Sequence, residues 1–154
     1  MDIIIETPAL SPVKYKYEPE LKAYRMLKAL SPGLVFPYDF GFFPDTIGGD
    51  GDPLDVMVLS EFPSFPGCVI SCRVIGCLQA EQSKKGGMIR NDRFLAVPDF
   101  SVQYGHVKSL EDLERNLVDA IELFFSNYLS AEGKKINWLP RLAAKEAAAL
   151  LSKG

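Results

Sequence analysis

The sequence predicts an α+β fold that is mainly β, a closed barrel followed by C-terminal helices. Three observations predict it. From Met1 to about Val107 the apolar segments are short and interrupted by Gly and Pro, which is the pattern of an all-β core. Turn signals are frequent in that stretch, and closing a sheet on itself removes the exposed edges that many short strands would otherwise present. After Lys108 the apolar spacing becomes helical.

In chain order the expected strands are residues 3–7, 13–17, 24–30, 54–59, 69–78 and 93–97, each lying between turn residues. Residues 83–90, rich in Lys and Gly, read as a mobile hairpin loop. Ser109 with Asp112 three positions later resembles a helix cap. From there Leu110, Leu113, Leu117, Ile121, Phe124 and Tyr128 recur at helical spacing, and Gly133 supplies the stop. Most of that stripe is core packing, but the Tyr128 hydroxyl needs a partner if buried and could reach a site. Pro140 precedes a second helix over 141–151, whose alanines favour helix intrinsically.

A chain of 154 residues is long enough for one core, so a single domain over 1–154 is expected. Hydrophobic content of 47% and charged content of 24% are those of a soluble globular protein. No stretch approaches the roughly 18 apolar residues of a membrane span, and the run Ile3-Ile4-Ile5 lacks the flanks of a signal peptide. A cytoplasmic location is the expectation. A net charge of −3 argues against a general nucleic-acid binder, which carries a basic face. Cys68, Cys72 and Cys77 lie in a hydrophobic run without a neighbouring His and read as core residues. The single His106 reads as a surface or structural His.

The chemistry concentrates at Asp50-Gly51-Asp52-Pro53-Leu54-Asp55, three carboxylates within six residues. Crowded carboxylates raise one another's pKa unless a cation neutralises them. Oxygen donors without Cys or His suit Mg, Mn or Ca, not zinc. In an extended segment Asp50 and Asp52 would share a face. An Asp/Gly/Pro turn is the plain conformational alternative. An EF-hand loop is disfavoured, because Pro53 interrupts the ligand spacing and the run that follows is strand-like. Complementary charge stands nearby in sequence: Lys14 and Lys16 alternate on one strand, Lys28 ends the next, and Arg93 opens a later one. Carboxylates that hold metals beside cations that hold phosphate oxygens suit phosphoryl transfer.

These residues resemble the family I soluble inorganic pyrophosphatases. Residues 50–56 look like the family signature, and further blocks occur in the expected order: Glu6-Thr7-Pro8-Ala9 with Val13-Lys14-Tyr15, then Phe36-Pro37-Tyr38-Asp39-Phe40-Gly41-Phe42, Pro66-Gly67, Leu95-Ala96-Val97-Pro98, and Phe124-Phe125 with Tyr128. The resemblance covers about residues 3–135. It implies a five-stranded, OB-like barrel with flanking helices, Mg²⁺-dependent hydrolysis of pyrophosphate to two phosphates with Mn²⁺ as a possible substitute, and a homo-oligomer, commonly a hexamer. It also implies Asp50 and Asp55 as metal ligands and Asp52 as the base for the attacking water. Glu6 becomes a further site carboxylate, and Lys14, Lys28, Arg93 and Tyr128 hold phosphate oxygens. Two divalent ions about 3.5 to 4 Å apart would lower the pKa of that water.

The chain departs from the family pattern at several of these places. Lys16 stands where a second Glu is usual, reversing a charge in the site. Lys28 replaces an Arg, turning a bidentate fork into a point charge. Phe36 and Phe40 replace Tyr, the latter usually a substrate-binding hydroxyl, and Leu129 replaces a Lys. Two further metal-binding Asp should fall near Glu81 or Gln82 and at Asn91, with Asp92 adjacent, so Glu81, Asn91 and Asp92 are all candidate ligands. The departures leave two alternatives to a working pyrophosphatase: a metal- or phosphate-binding module with weak or no turnover, and a hydrolase of another small diphosphate.

Overall fold

The computed structural model describes residues 1–153. A barrel of five strands forms its centre: β1 (Asp2–Thr7), β4 (Asp39–Phe42), β5 (Asp55–Val58), β9 (Arg93–Pro98) and β6 (Val69–Leu78) pair in that spatial order, and β6 pairs back onto β1 to close it. Four of the five junctions are antiparallel, whereas β5 and β9 run parallel. Closure leaves no open edge among the five strands. Two core clusters follow. Ile3, Ile5, Val56, Val58, Phe94 and Ala96 meet beneath the helix α2 (Ala144–Leu151). Phe36, Phe40, Met57, Leu95, Phe124 and Phe125 join the barrel to the long helix α1 (Arg115–Ala131).

One close approach is decided by a single residue. A Cβ on Gly41 would lie 2.1 Å from the Ile4 carbonyl oxygen across the β1–β4 ladder, so only glycine lets these strands pair. Outside the barrel, β2 (Val13–Glu18) and β3 (Ala23–Ala29) form a hairpin, and β7 (Ala80–Lys84), β8 (Gly87–Arg90) and β10 (Ile136–Trp138) form a three-stranded sheet. The six strands expected from the sequence all form, with ends moved by one residue or less.

Residues 83–90 are a correction. They are not a loop but the end of one strand, a turn at Lys85-Gly86 and a second strand, stabilised because β10 supplies a third partner from a distant part of the chain. The helix boundaries also move. Residues 110–112 form only a 3₁₀ turn, since the Asp112 carboxylate accepts the Lys108 and Ser109 backbone N–H groups and Leu113 is extended. The α-helix begins at Arg115. Gly133, at φ +74°, follows its end as expected. The second helix starts at Ala144 rather than Arg141, because β11 (Leu142–Ala143) pairs with Cys77 and Gly76 of β6. All three cysteines are free, and Cys72 and Cys77 are buried.

Candidate active site

The register of two pairings builds the site. β5 and β9 are parallel with Asp55 opposite Arg93, so the first side chains of both strands leave from the same end of the barrel. In the β2–β3 hairpin Lys14 lies opposite Lys28, which brings two ammonium groups to that end. A bulge beside Lys14 adds twist without separating them. A further wall is the last two turns of α1, where Phe125, Tyr128 and Leu129 face the recess and Glu132 and Lys134 follow. Together they enclose a recess of about 80 Å³.

Charge inside the recess is mostly positive. Lys14 and Lys28 hold their ammonium nitrogens 5.7 and 5.3 Å from the centroid of the Tyr128 ring, and the Arg93 guanidinium carbon lies 4.6 Å from that of Phe125. Arg93 is 4% exposed; it donates from Nη1 to the Asn91 carbonyl at 2.9 Å and from Nη2 to Gln82 Oε1 at 2.7 Å. Its Nε is buried without a partner, as is the Tyr128 hydroxyl. Burial pushes the Tyr128 hydroxyl above its usual pKa, with Lys14 pulling partly the other way.

The carboxylates stand along the adjoining edge. Burial raises Asp55 to a pKa of about 7; Arg93 and Lys14 oppose the rise, and Asp50 and Glu6 reinforce it. Glu6 is also raised by burial, against a hydrogen bond from the Tyr17 N–H (2.7 Å) and the charges of Lys14 and Lys16. Asp50 and Asp52 lie in a turn, not a strand, so strand alternation does not govern them. Gly51 takes φ +87°, Gly48 N–H reaches the Asp52 carbonyl at 2.7 Å, and Asp50 Oδ1 accepts the Asp52 N–H at 3.0 Å. Asp52 is exposed and pairs with Lys16 at 3.1 Å. Burial alone would lower the Lys16 pKa, but the Asp52 contact and the charges of Asp52, Glu6 and Asp55 raise it.

The fold therefore gathers Lys14, Lys28, Phe40, Asp55, Asn91, Arg93 and Tyr128 around one recess, with Glu6, Lys16, Asp50 and Asp52 at its carboxylate edge. It turns two other candidates away. Asp92 is buried behind the wall, where its carboxylate accepts the Ala80 N–H at 3.1 Å and pairs with Arg90 at 2.6 Å. Glu81 sits opposite Arg90 and Asn137 within the outer sheet and does not line the recess. Gln82, next along that strand, lines it instead. Strand alternation separates these neighbours, but only once the strand is recognised. Glu132 and Lys134 have no sequence signal beyond their position just after Tyr128.

The arrangement is decided by comparison with known proteins. The family model described as inorganic pyrophosphatase matches residues 3–153. This chain belongs to the inorganic pyrophosphatase family. It is 42% identical to an inorganic pyrophosphatase of Nostoc over 134 residues, 87% of this chain and 77% of that protein. An inorganic pyrophosphatase of Methanosarcina acetivorans is 37% identical over the same shares. Among solved structures, the inorganic pyrophosphatase of Thermus thermophilus superposes with a TM-score of 0.89 at 30% identity, covering 99% of this chain and 87% of that one.

The family implies a divalent metal, and the two sides of this pyrophosphatase site differ in their fit to one. Along the carboxylate edge the donors are all hard oxygens; burial chiefly, and the neighbouring carboxylates in smaller part, raise Asp55 and Glu6, and that chemistry suits a hard cation. Asp50 and Asp52 would first have to leave the backbone and Lys16. On the opposite wall the groups are the neutral Asn91 and Gln82, and Arg93 already occupies the Gln82 oxygen. No group of three or more Asp, Glu, His or Cys is gathered to hold a metal ion among the described residues.

Proposed function

We propose that this member of the inorganic pyrophosphatase family hydrolyses pyrophosphate to two phosphates, with Mg²⁺ as its ion and Mn²⁺ able to replace it. The observation that carries this reading is the shared end of β5 and β9. There a cluster of cations, the buried Arg93 with the half-buried Lys14 and Lys28, adjoins a row of carboxylates, so a phosphoric anhydride and a water could be held side by side. Lys14, Lys28 and Arg93 neutralise phosphoryl oxygens and orient them. Tyr128 donates its free hydroxyl. Asp52, the most exposed carboxylate of the edge, takes the proton from water as its oxygen attacks phosphorus. The bridging P–O bond breaks, and the second phosphate leaves with the electron pair. Asp50, Asp55 and Glu6 are the side chains to hold divalent ions, whose contribution when bound is to lower the pKa of water and offset charge on the leaving phosphate.

Phosphate release from pyrophosphate, followed with Mg²⁺ in the wild type and Asp52→Asn, tests this. The wild type is expected to depend on Mg²⁺, and the variant to lose about 10²- to 10⁴-fold in kcat. Absence of Mg²⁺-dependent turnover in the intact chain overturns the proposal. A homohexamer in the cytoplasm is the accompanying proposal, drawn from family resemblance; no helix among the described residues is long and apolar enough to cross a membrane. Sedimentation equilibrium on the same preparation checks the assembly, and a monomer would refute it.

A second reading has its own support. Lys16 occupies Asp52, the opposite wall offers amides instead of carboxylates, and Phe40 brings no hydroxyl. The first two changes weaken the hold on a metal and so favour holding a phosphate over turning it over, whereas the third removes a substrate-binding donor and alters recognition. The same assay, run with other small diphosphates, separates weak turnover from altered substrate choice.

A further inference from the structure

Away from the recess, one buried carboxylate is only half satisfied. Asp39 opens β4 and is 2% exposed. It lies opposite Val58, whereas Phe42 at the other end of the strand lies opposite Asp55, so the length of β4 separates Asp39 from the carboxylate edge. Its Oδ1 accepts the Ala9 N–H at 2.7 Å and the Ser64 N–H at 3.4 Å, tying the β1–β2 connection to the β5–β6 connection. Its Oδ2 is buried without a hydrogen-bond partner, and so is the Ser64 Oγ. Because the Ser64 N–H already touches this carboxylate, the two orphaned oxygens belong to one small region of the interior.

Charge and ligand type decide what this region would take. Among the described residues no Lys, Arg or His side chain pairs with Asp39. A buried charge is costly unless it is paired or coordinates a metal. Both orphaned atoms are oxygens with free lone pairs, which suit a hard cation and not zinc. One carboxylate and one hydroxyl are too few for a divalent ion: Ca²⁺ calls for a larger oxygen shell, and Mg²⁺ keeps several waters that need room. A single positive charge balances the single carboxylate.

We propose that Asp39 Oδ2 and Ser64 Oγ hold a buried monovalent cation of the Na⁺ or K⁺ class, which fastens the β1–β2 and β5–β6 connections to each other. Neither pyrophosphate turnover nor the divalent ions of the active site enter this claim. The test is denaturant unfolding of the intact chain, with a chelator present to remove divalent ions, in NaCl, KCl or tetramethylammonium chloride at equal ionic strength. Tetramethylammonium screens charge but is too bulky for oxygen ligands to surround. The unfolding midpoint is expected to rise saturably when Na⁺ or K⁺ replaces it, because an ion bound only by the folded chain stabilises that state. The ion that reaches half of the rise at the lower concentration is the one preferred. Asp39→Asn, which keeps the shape and removes the charge, should lose the dependence. Ser64→Ala keeps the charge and should need several-fold more cation for half of the rise; if Asp39→Asn does not fold, this shift decides alone. Equal midpoints in the three salts overturn the inference and leave Asp39 to a proton or a water. A cation dependence that either variant leaves unchanged overturns it as well, since the ion then acts elsewhere.

Discussion

At the scale of single residues, the contact between Lys16 and Asp52 matters most. Both side chains are about half exposed, at 43% and 56%, so the pair adds little to stability. Its effect is on chemistry. The ammonium occupies an oxygen of the carboxylate proposed to deprotonate water, one that a divalent ion would also use. Lys16→Gln should therefore leave stability within about 0.5 kcal/mol and lower the Mg²⁺ concentration needed for half-maximal phosphate release several-fold. A Mg²⁺ titration of initial rates checks this, and an unchanged midpoint refutes it. That Lys14, Lys28, Arg93 and Tyr128 meet at one recess was legible through the family resemblance. The choice between Glu81 and Gln82 was not, since it depends on which face of β7 turns inward. Nor was the diversion of Asp92 to Ala80 and Arg90, which only the β7–β8 hairpin creates.

At the scale of elements, local pattern revealed the strands that carry their own apolar run and missed those that borrow stability from a partner. β4, with its short run Asp39–Phe42, forms because β1 and β5 pair on both sides of it. β8 forms because β7, itself held by β10, offers it an edge. Connections are organised similarly. The segment after β9 has no regular structure of its own, yet Glu61 accepts from the Ser101 hydroxyl at 2.6 Å and from the Val102 and Gln103 N–H groups at 3.0 and 2.9 Å. Arg73 completes the hold by donating to the Val107, Tyr104 and Gly105 carbonyls. The hydrogen bonds from Gln103 N–H and Ser101 hold the Glu61 carboxyl down at about 2, below its usual 4.5. A depressed carboxylate pKa means that the folded loop binds fewer protons than the open one. Its stabilisation is thus complete above about pH 4.5 and is lost as pH falls towards 2. Hydrogen-exchange protection of Val102 and Gln103, corrected for intrinsic rates, should fall across that window in the wild type. In Glu61→Gln the dependence should disappear. An equal fall in both proteins would show that the loop is held by something else.

For the whole molecule, the site is a seam between two units the sequence announces separately, a β barrel and a helix. Neither alone makes the recess. Arg93 stands on the barrel, Lys14 and Lys28 on the β2–β3 hairpin, and Tyr128 and Glu132 at the end of α1, so the phosphate binding proposed for the site depends on how firmly the helix docks. Phe125 is the joint. It is 1% exposed, its ring lies 5.6 Å from Phe40 and 5.2 Å from Phe124, and its face supports the Arg93 guanidinium. The helical stripe in the sequence implied packing of this kind, but it could not show that the packing partner is the floor of the site. Phe125→Ala should cost about 3–5 kcal/mol of unfolding free energy through the cavity left behind. Because Arg93 loses its support as well, phosphate affinity should drop even under conditions where the variant remains fully folded. Phe125→Leu separates the two effects: it refills most of the volume but offers no aromatic face, so stability should largely recover while affinity does not. Denaturant unfolding and phosphate titration of both variants test the coupling. If affinity follows stability through both substitutions, packing alone governs the site and the aromatic support of Arg93 contributes nothing.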